Sequence, residues 1–288
     1  MDSILDLIGN TPILRLKRIE EKHQLCARIF AKLEYLNPFG SIKDRVGDQM
    51  ISDAESMGYI TKGTRIIEAT SGNLGIALAA ICNVKGYKCH IVAPQNIHQQ
   101  RLKIMQSYGA EVLLSSEKGG MHEAITEAKY LSETLSNCFY TNQFENYSSV
   151  VAHFRGTAPE IEHQLSAHPD IIICGVGSGG TLEGLHKYFL NKNTDIIGVL
   201  PANHPHKIAG IGAGFIPKIV NPDHLDNSIY IDDSEIDPMI REANELMGIS
   251  IGISSAAVLC AGLKIGKEKR YKDKNIVLIF ADSGERYI

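Results

Sequence analysis

Short apolar runs alternate with longer helical stretches along most of the chain. The runs are continuously apolar and rich in Ile and Val, which is typical of strands whose two faces are both covered by helices. Strand and helix in regular alternation predict a doubly wound α/β fold with mostly parallel sheets. The predicted strands are RIFAKLE (28–34), RIIEA (65–69), CHIVAP (89–94), EVLLS (111–115), IIICGV (171–176), IIGVL (196–200) and NIVLIFA (275–281).

Several of the helical stretches end at a glycine, the residue that most readily adopts the left-handed conformation after a helix. The chain has 288 residues and more strands than one small sheet holds, so we expect two lobes. Ligands in such folds bind at the carboxyl ends of strands, so a site is expected where a strand leads into a helix. The clearest helical stretches are KDRVGDQMISDAESMG (43–58), NLGIALAAICNVKG (73–86) and HQQRLKIMQSYG (98–109).

Charge and hydropathy exclude several classes of partner. The net charge of −4 gives no basic surface for nucleic acid or an anionic membrane. The sequence contains no apolar run of the roughly 18 residues that a membrane span needs. The segment MDSILDLIGNTPILRL carries acids where a signal peptide would carry basic residues. We therefore expect a cytoplasmic protein.

The cysteines and histidines do not form a recognisable metal or disulfide pattern. Six cysteines are scattered without a CxxC pair, which favours reduced thiols over a disulfide framework. The eleven histidines include no HExxH motif. His204 and His206 are two residues apart in a loop, without further ligands nearby in the sequence. We expect no metal site.

A glycine-rich turn follows one predicted buried strand, in IIICGVGSGGT (171–181). Glycines let backbone N–H groups approach an anion, and the N-terminus of the following helix adds favourable partial charge. A dinucleotide site would also need an acid at the end of the next strand. That strand ends in Leu200-Pro201-Ala202, and Asp195 precedes it. The turn predicts a cradle for a single phosphate group, although a tight turn without a ligand would have the same residues.

A second strand-to-helix junction, EATSGNLG (68–75), is small and polar. Thr70, Ser71 and Asn73 place two hydroxyls and an amide beside the free N–H groups of a predicted helix N-terminus. This set predicts a receptor for a carboxylate. The alternative is that Ser71 or Asn73 only caps the helix, a common role for these residue types.

A lysine follows the first long strand after a Pro/Gly turn, in NPFGSIKDRVG (37–47). Taken alone, Lys43 is best interpreted as a solvated surface residue. A lysine becomes a nucleophile when burial or neighbouring cations lower its pKa, and it can then form a Schiff base with an aldehyde. A phosphate cradle, a carboxylate receptor and such a lysine together fit an amino-acid substrate and an aldehyde cofactor with one phosphate. Pyridoxal phosphate matches that description.

Eight motifs of the chain resemble those of the cysteine synthase (O-acetylserine sulfhydrylase) and cystathionine β-synthase family of fold type II pyridoxal-phosphate enzymes. They occur in family order and span nearly the whole chain: IGNTPILRL, NPFGSIKDR, TSGNLG, QFEN, GVGSGGT, KIAGIGAGFIP, GISSA and SGERY. The resemblance implies a two-lobed fold similar to that of the tryptophan synthase β subunit, with pyridoxal phosphate at the lobe interface. It places the smaller lobe at 35–145 and the larger lobe at 1–34 and 146–288.

The resemblance also implies a role for each matched residue. Lys43 would hold pyridoxal phosphate as an internal aldimine and then remove and return the proton at the substrate Cα. Asn73 would hydrogen-bond the phenolic oxygen of the cofactor. Ser254 would face its pyridine nitrogen with a hydroxyl, which suits elimination at Cβ better than transamination. The residues implied for the cofactor phosphate are Gly177, Ser178, Gly179, Gly180 and Thr181, and those for the substrate carboxylate are Thr70, Ser71, Gly72 and Gln143.

The implied reaction is β-replacement or β-elimination at Cβ of a small amino acid through an α-aminoacrylate. The substrate would be L-cysteine or O-acetyl-L-serine. Leu74, Ala209, Ala256 and Asp282 each stand where the family usually has another residue. These departures leave the cofactor residues intact and leave the substrate open.

Asp232 is the departure with the most definite chemical consequence. Counting back from GISSA, it lies where cysteine synthases usually have a threonine or serine. It begins the stretch DDSE, so one interpretation is a helix N-cap with a capping box. The other is a general base, because water is a poor nucleophile that benefits from one, whereas bisulfide needs none and a carboxylate would repel it. On that interpretation the enzyme consumes L-cysteine, releases sulfide and adds water to give L-serine.

Other functions remain open at this point. One is biosynthetic O-acetylserine sulfhydrylase, which makes L-cysteine from sulfide, and another is serine or threonine dehydratase of the same fold. A nucleotide-binding oxidoreductase is disfavoured by the missing ribose acid. A non-catalytic homologue is disfavoured by Lys43, Asn73 and Ser254. The resemblance also implies a homodimer.

Overall fold

Ten β-strands in two sheets occur in the residues that the structure, a computed structural model, describes, which are 2–116, 119–165 and 168–287. All seven predicted strands are among them, and their ends agree with the prediction within one or two residues. The strands are β1 (Ile13–Arg15), β2 (Arg28–Leu33), β3 (Arg65–Ala69), β4 (Lys88–Pro94), β5 (Glu111–Ser115), β6 (Cys138–Tyr140), β7 (Ile171–Gly175), β8 (Asp195–Pro201), β9 (Ile229–Ile231) and β10 (Asn275–Phe280).

Helices connect most of these strands. The α-helices are α1 (Lys17–His23), α2 (Lys43–Ser56), α3 (Asn73–Lys85), α4 (Gln99–Ser107), α5 (Gly120–Thr134), α6 (Ser148–Ala152), α7 (Ala158–Leu165), α8 (Gly180–Phe189), α9 (Ile236–Met247) and α10 (Ile253–Gly266). Single turns of 3-10 helix lie at Ile4–Leu7, Glu34–Leu36, Pro222–Leu225, Asp233–Glu235, Lys269–Tyr271 and Gly284–Tyr287, and a π-helical segment lies at His153–Thr157.

The chain divides into two units, each with its own sheet. The first unit comprises Met1–Ile8 and Lys43–Ser149, and the second comprises Gly9–Ile42 and Val150–Ile288. The chain therefore passes from the second unit to the first at Lys43. The resemblance implies a smaller lobe at 35–145, whereas the first unit begins eight residues later, ends four residues later and also includes Met1–Ile8.

The sheet of the second unit has six strands in the order β1-β2-β10-β7-β8-β9. All neighbours are parallel except β1, which runs antiparallel to β2. Successive residues of β7 enter different cores: Ile171 and Ile173 pack in a cluster with residues of α10, whereas Ile172 and Cys174 pack with residues of α7 and α8. Because side chains alternate between the faces of a strand, helices cover both faces of this sheet. The prediction of a doubly wound sheet is confirmed.

The sheet of the first unit has four parallel strands in the order β5-β4-β3-β6. On one face, Ile67 of β3 and Val92 of β4 pack against Ala124 and Ala128 of α5. Helix α2 packs closely on α3, since a Cβ added at Gly47 would lie only 3.0 Å from Ile81 Cδ1. The carboxyl end of β3 leads directly into the polar junction at the start of α3.

Candidate active site

Lys43 is the first residue of α2 in the first unit. Part of its side chain remains accessible to solvent, but protein atoms desolvate its amine. Burial lowers the pKa of Lys43 to about 8, against the opposing effect of the negative charge of Glu68. The amine therefore differs from that of a solvated surface lysine, which is how Lys43 is interpreted when it is taken alone.

The turn that precedes Lys43 is held by a buried polar network in the second unit. The amide of Asn37 donates to the backbone oxygen of Glu34 (2.8 Å) and to its carboxylate (3.0 Å). The oxygen of the same amide accepts from the N–H of Gly9 (2.8 Å). Thr11 Oγ1 donates to the Glu34 carboxylate (2.7 Å), which is fully buried. These bonds fix the turn from which the chain enters α2.

The polar junction between β3 and α3 leaves its helix N-terminus without a side-chain cap. The N-cap of α3 is Gly72, so neither Ser71 nor Asn73 occupies the capping position. A Cβ added at Gly72 would meet no described atom within 4 Å. Thr70 Oγ1 accepts from the N–H of Gly72 (3.2 Å) and shapes the loop. The interpretation of Ser71 or Asn73 as an N-cap is therefore wrong, and the start of α3 has room for an anion.

Gln143 lies beside this junction in the first unit. Its amide Nε2 donates to the backbone oxygen of Ala69 (3.1 Å), and its backbone N–H donates to the carboxylate of Glu68 (3.1 Å). The residue is 8% exposed. The structure thus brings Gln143 to the loop at 70–73, although the two are 70 residues apart in sequence.

The glycine-rich turn of the second unit runs from the end of β7 to the N-terminus of α8. A Cβ at Gly177 would lie 2.4 Å from the backbone oxygen of Gly210. Gly179 has φ +90, and a Cβ there would lie 2.0 Å from Val220 Cγ2. Both positions therefore require glycine. The turn presents backbone N–H groups at the start of a ten-residue helix, which suits a phosphate.

Thr181 and Ser254 lie near the same turn within the second unit. Thr181 Oγ1 lies 3.2 Å from Nε2 of the buried His153, whose Nδ1 lies 2.9 Å from Thr157 Oγ1. Ser254, in the first turn of α10, is 6% exposed, and a Cβ at Gly210 would lie 3.8 Å from its Oγ. Since Gly210 also contacts the turn at Gly177, the structure brings Ser254 to the glycine-rich turn.

Asp232 is the N-cap of the 3-10 turn Asp233–Glu235. Its carboxylate accepts from the N–H of Ser234 (3.0 Å), and the Glu235 carboxylate accepts from the N–H of Asp232 (3.1 Å), so the capping box is formed. Asn203 Nδ2 donates to the second carboxylate oxygen (2.9 Å). Hydrogen bonds from Ser234, aided by Asn203, lower the pKa of Asp232, which lies at the protein surface and is ionised at neutral pH.

Sequence reasoning missed three buried residues of this region. The turn before Lys43 is held by Glu34, the segment at Gln143 by Glu68, and the Thr181 hydroxyl by His153. The partners of Glu68 and His153 are 75 and 28 residues away, so residue type and spacing gave no sign of them, whereas Asn37, a partner of Glu34, is only three residues away. The position of Glu68 two residues before the TSGN motif is the local feature that could have drawn attention to it.

Within residues 2–116, 119–165 and 168–287, no three His, Cys, Asp or Glu side chains are grouped so that they could hold a metal ion. The rings of His204 and His206 contact each other edge to face, and His206 Nε2 lies 3.0 Å from the backbone oxygen of Gly212. None of the helices in the described parts of the chain has the length and apolar character needed to cross a membrane.

A family model described as pyridoxal-phosphate dependent enzyme matches residues 4–282. The chain belongs to this family. It is 40% identical to a cysteine synthase of Buchnera aphidicola subsp. Schizaphis graminum, over 98% of this chain and 92% of the relative. It is 37% identical to a cysteine synthase of Staphylococcus aureus, over 100% of this chain and 96% of the relative. The predicted membership in the pyridoxal-phosphate enzymes of cysteine metabolism is confirmed.

Two solved structures are similar to the whole chain. One is the cysteine synthase of Entamoeba histolytica, with a TM-score of 0.94, 38% identity and coverage of 100% of this chain and 89% of that chain. The other is a hydrogen sulfide-producing enzyme from Fusobacterium nucleatum, with a TM-score of 0.94, 38% identity and coverage of 100% of both chains. The predicted fold is confirmed by both.

The residues present fit pyridoxal phosphate, the cofactor of this family. The desolvated amine of Lys43 suits its aldehyde. The crowded glycines at the N-terminus of α8 suit its phosphate. The open N-terminus of α3 suits an anionic group of the substrate.

Proposed function

We propose that the protein catalyses β-replacement on a small amino acid, with pyridoxal phosphate as cofactor. The observation that carries the proposal is the desolvated amine of Lys43, whose pKa of about 8 leaves part of it uncharged near neutral pH. An uncharged lysine can act as nucleophile and as base. When bound, pyridoxal phosphate acts as an electron sink for negative charge at the substrate Cα.

Each proposed role follows from the chemistry of the group. Lys43 would hold the cofactor aldehyde, and would take up and return the proton at Cα. Asn73 would hydrogen-bond the phenolic oxygen, and Ser254 would offer its hydroxyl to the pyridine nitrogen. The turn residues Gly177, Ser178, Gly179, Gly180 and Thr181 would hold the phosphate, and Thr70, Ser71, Gly72 and Gln143 would hold the substrate carboxylate.

The substrate that we propose is L-cysteine, with sulfide as leaving group and water as the second nucleophile, so that L-serine is formed. The hydrogen sulfide-producing enzyme of Fusobacterium nucleatum supports this choice, since it matches the chain over its full length. The cysteine synthases support the alternative, in which O-acetyl-L-serine is the substrate and sulfide is the nucleophile.

Asp232 is the proposed general base for water. Its partner Asn203 directly precedes His204, which lines a cavity of 230 Å³ in the second unit. Gly177 of the glycine-rich turn lines the same cavity. The lowered pKa keeps Asp232 ionised at neutral pH, as a base must be, and a carboxylate here disfavours bisulfide as the nucleophile.

The deciding experiment supplies the pyridoxal-phosphate-loaded protein with L-cysteine alone and follows sulfide and amino-acid products over time. Steady release of sulfide with formation of L-serine is expected. Sulfide release with lanthionine would replace water by a second cysteine as nucleophile. Absence of sulfide, together with L-cysteine formation from O-acetyl-L-serine and sulfide, would establish the biosynthetic reaction instead. Pyruvate as the main product would indicate a dehydratase-like elimination.

Asp232→Asn separates the two roles of Asp232. Asparagine is as good an N-cap as aspartate, so the variant keeps the cap and removes the base. Serine formation is expected to fall by roughly 10²-fold or more, which is the usual contribution of a general base. Asp233→Asn is the matched control, since it changes the charge of the neighbouring residue. Full serine formation by Asp232→Asn would leave Asp232 as a cap only.

We also propose that the enzyme is a homodimer, as the resemblance implies, and that it is cytoplasmic, as the sequence analysis predicts. The chain mass is 31.6 kDa, so light scattering of the purified protein is expected to give about twice that value. A mass equal to that of one chain would remove the proposal of a dimer.

A further inference from the structure

Glu68 has a fully buried carboxylate next to the end of β3 in the first unit. A buried carboxylate is costly unless hydrogen bonds or a positive charge compensate it. The Glu68 carboxylate accepts three hydrogen bonds. Its Oε2 accepts from Thr141 Oγ1 (2.6 Å) and from the N–H of Gln143 (3.1 Å), and its Oε1 accepts from the N–H of Ala69 (2.9 Å). None of these contacts is explained by the roles assigned so far.

The hydrogen bonds of Glu68 join two segments that the proposed function assigns to the substrate carboxylate. Ala69 leads directly into the loop at 70–73, and its backbone oxygen accepts from Gln143 Nε2 (3.1 Å). The backbone N–H of Thr141 donates to the backbone oxygen of Ile67 (3.0 Å). The carboxylate therefore ties the segment 141–143 to the end of β3, where the loop begins.

Glu68 also interacts electrostatically with Lys43. Burial raises the pKa of Glu68 to about 7, against its three hydrogen bonds and the positive charge of Lys43. In return, the Glu68 charge opposes the burial that lowers the pKa of Lys43 to about 8. Two further titratable groups face Glu68: Tyr140, whose pKa is raised by burial, and Cys89, whose pKa is raised first by its hydrogen bond with Cys82. Both are neutral near pH 7, so the charge interaction is between Glu68 and Lys43.

We propose that Glu68 is a positioning residue for the reaction, whose carboxylate stabilises the ammonium form of Lys43 and fixes Gln143 beside the loop at 70–73. The inference rests on the proposed role of Lys43 as the group that takes up the Cα proton. On accepting that proton, Lys43 becomes a cation in a desolvated place, which is unfavourable without a nearby negative charge. Glu68 supplies that charge at the step where it is needed.

Competitive acetylation of the full-length chain, freed of cofactor, measures the proton affinity of Lys43 directly. The rate at Lys43 is followed against pH by mass spectrometry, and a midpoint near 8 is expected for the wild type. A nearby opposite charge shifts a pKa by roughly 1 to 3 units, so Glu68→Gln is expected to lower this midpoint by about one unit. A midpoint that Glu68→Gln leaves unchanged would overturn the proposal, since a merely structural acid would not move it.

Two further variants keep the measurement decisive. Thr141→Val removes a hydrogen bond that lowers the pKa of Glu68, so less carboxylate is ionised near neutral pH. It is expected to lower the Lys43 midpoint by less than Glu68→Gln does, and it decides the question if Glu68→Gln does not fold. Asp48→Asn is the matched control: Asp48 lies on α2 with Lys43, has a pKa raised by burial and interacts with Lys85 and Glu55 instead. In Asp48→Asn, the Lys43 midpoint is expected to equal that of the wild type.

Turnover of L-cysteine tests the consequence for catalysis. One pKa unit corresponds to a tenfold change, so Glu68→Gln is expected to lower kcat by up to about tenfold. The kinetic isotope effect with Cα-deuterated substrate should increase, because proton removal becomes slower. Glu68→Asp, which keeps the charge, should recover part of the loss. An unchanged isotope effect combined with a raised KM would overturn the role in proton transfer.

Failure of the proposed function gives a different result in the same assay. Loading with pyridoxal phosphate should protect Lys43 from acetylation if Lys43 holds the cofactor. Equal labelling of Lys43 in loaded and cofactor-free protein would contradict the proposed function. An unchanged midpoint with full protection would contradict only the inference about Glu68.

Discussion

The surroundings of Lys43, more than its residue type, set its chemistry, because burial lowers its pKa to about 8. Lys43→Arg keeps a positive charge but replaces the amine with a guanidinium that stays protonated in proteins and does not attack aldehydes. Purified Lys43→Arg protein is expected to lack the visible absorbance of bound pyridoxal phosphate and to have no activity. Lys85→Arg, which changes a lysine in a partly exposed ion pair with Glu55, is the control and should keep both. An absorbance band that persists in Lys43→Arg would remove the assignment.

Gly179 offers a second prediction at the level of a single residue. Gly179→Ala must adopt φ +90 and place a Cβ 2.0 Å from Val220 Cγ2, so strain and a clash combine. Strain of this kind costs about 1 to 3 kcal/mol, and the glycine-rich turn must shift to relieve it. We expect the dissociation constant for pyridoxal phosphate, measured by equilibrium titration, to rise at least about tenfold.

Gly214→Ala is the matched control for Gly179→Ala. Gly214 has φ +83, but a Cβ there would meet no described atom within 4 Å. The control therefore has the backbone strain without the clash at the glycine-rich turn. Equal affinities in the two variants would show that the geometry of the Gly179 turn does not govern phosphate binding.

Residue types identified chemistry but not its supporting contacts. The sequence alone placed Lys43 after a turn and the TSGN and GVGSGG stretches at strand-to-helix junctions, because each signal lies within a few residues. Glu68 and His153 gave no such signal, since their partners Gln143 and Thr181 lie far along the chain. Whether Ser71 capped its helix also depended on backbone geometry, which showed Gly72 at that position.

At the level of elements, strand length decided what could be predicted. The seven predicted strands have five to seven residues, enough for a continuous apolar run to stand out. The prediction missed β1, β6 and β9, which have three residues each. β1 is also the antiparallel strand of its sheet, and its residues are half-buried or exposed. Short strands of this kind form because an adjacent strand offers hydrogen bonds, which a local pattern does not reveal.

The 3-10 turn after Asp232 allows its cap to be tested separately from catalysis. Asp232→Ala removes the acceptor for the Ser234 N–H and breaks the capping box. Loss of an N-cap is expected to lower the midpoint of thermal unfolding by roughly 2 to 4 °C, whereas Asp232→Asn should leave it nearly unchanged. Circular dichroism of both variants checks this. Equal losses in the two variants would mean that the negative charge, not the cap, stabilises the turn.

At the level of the whole molecule, the fold was predictable because local pattern and motif order agreed. Alternating strands and helices predicted parallel sheets, and motifs from residue 8 to residue 287 followed one family order. Substrate choice was less predictable, because the residues proposed to decide it are a few departures such as Asp232 within an otherwise shared set. A cysteine synthase and a hydrogen sulfide-producing enzyme both match this chain at 38% identity, so overall similarity does not choose between their activities.

Cofactor binding is expected to stabilise the whole chain, because pyridoxal phosphate binds the folded protein and not the unfolded one. At a concentration 100 times the dissociation constant, such binding adds about 2.7 kcal/mol to the free energy of unfolding. For a chain of this size that corresponds to a rise of roughly 5 °C or more in the unfolding midpoint. Calorimetry of wild-type protein with and without pyridoxal phosphate measures the rise. A tenfold loss of affinity in Gly179→Ala should reduce the rise by about half, because the stabilisation depends on the logarithm of the affinity, whereas Gly214→Ala should keep the full rise. An equal rise in all three proteins would place the cofactor phosphate away from the turn at Gly179.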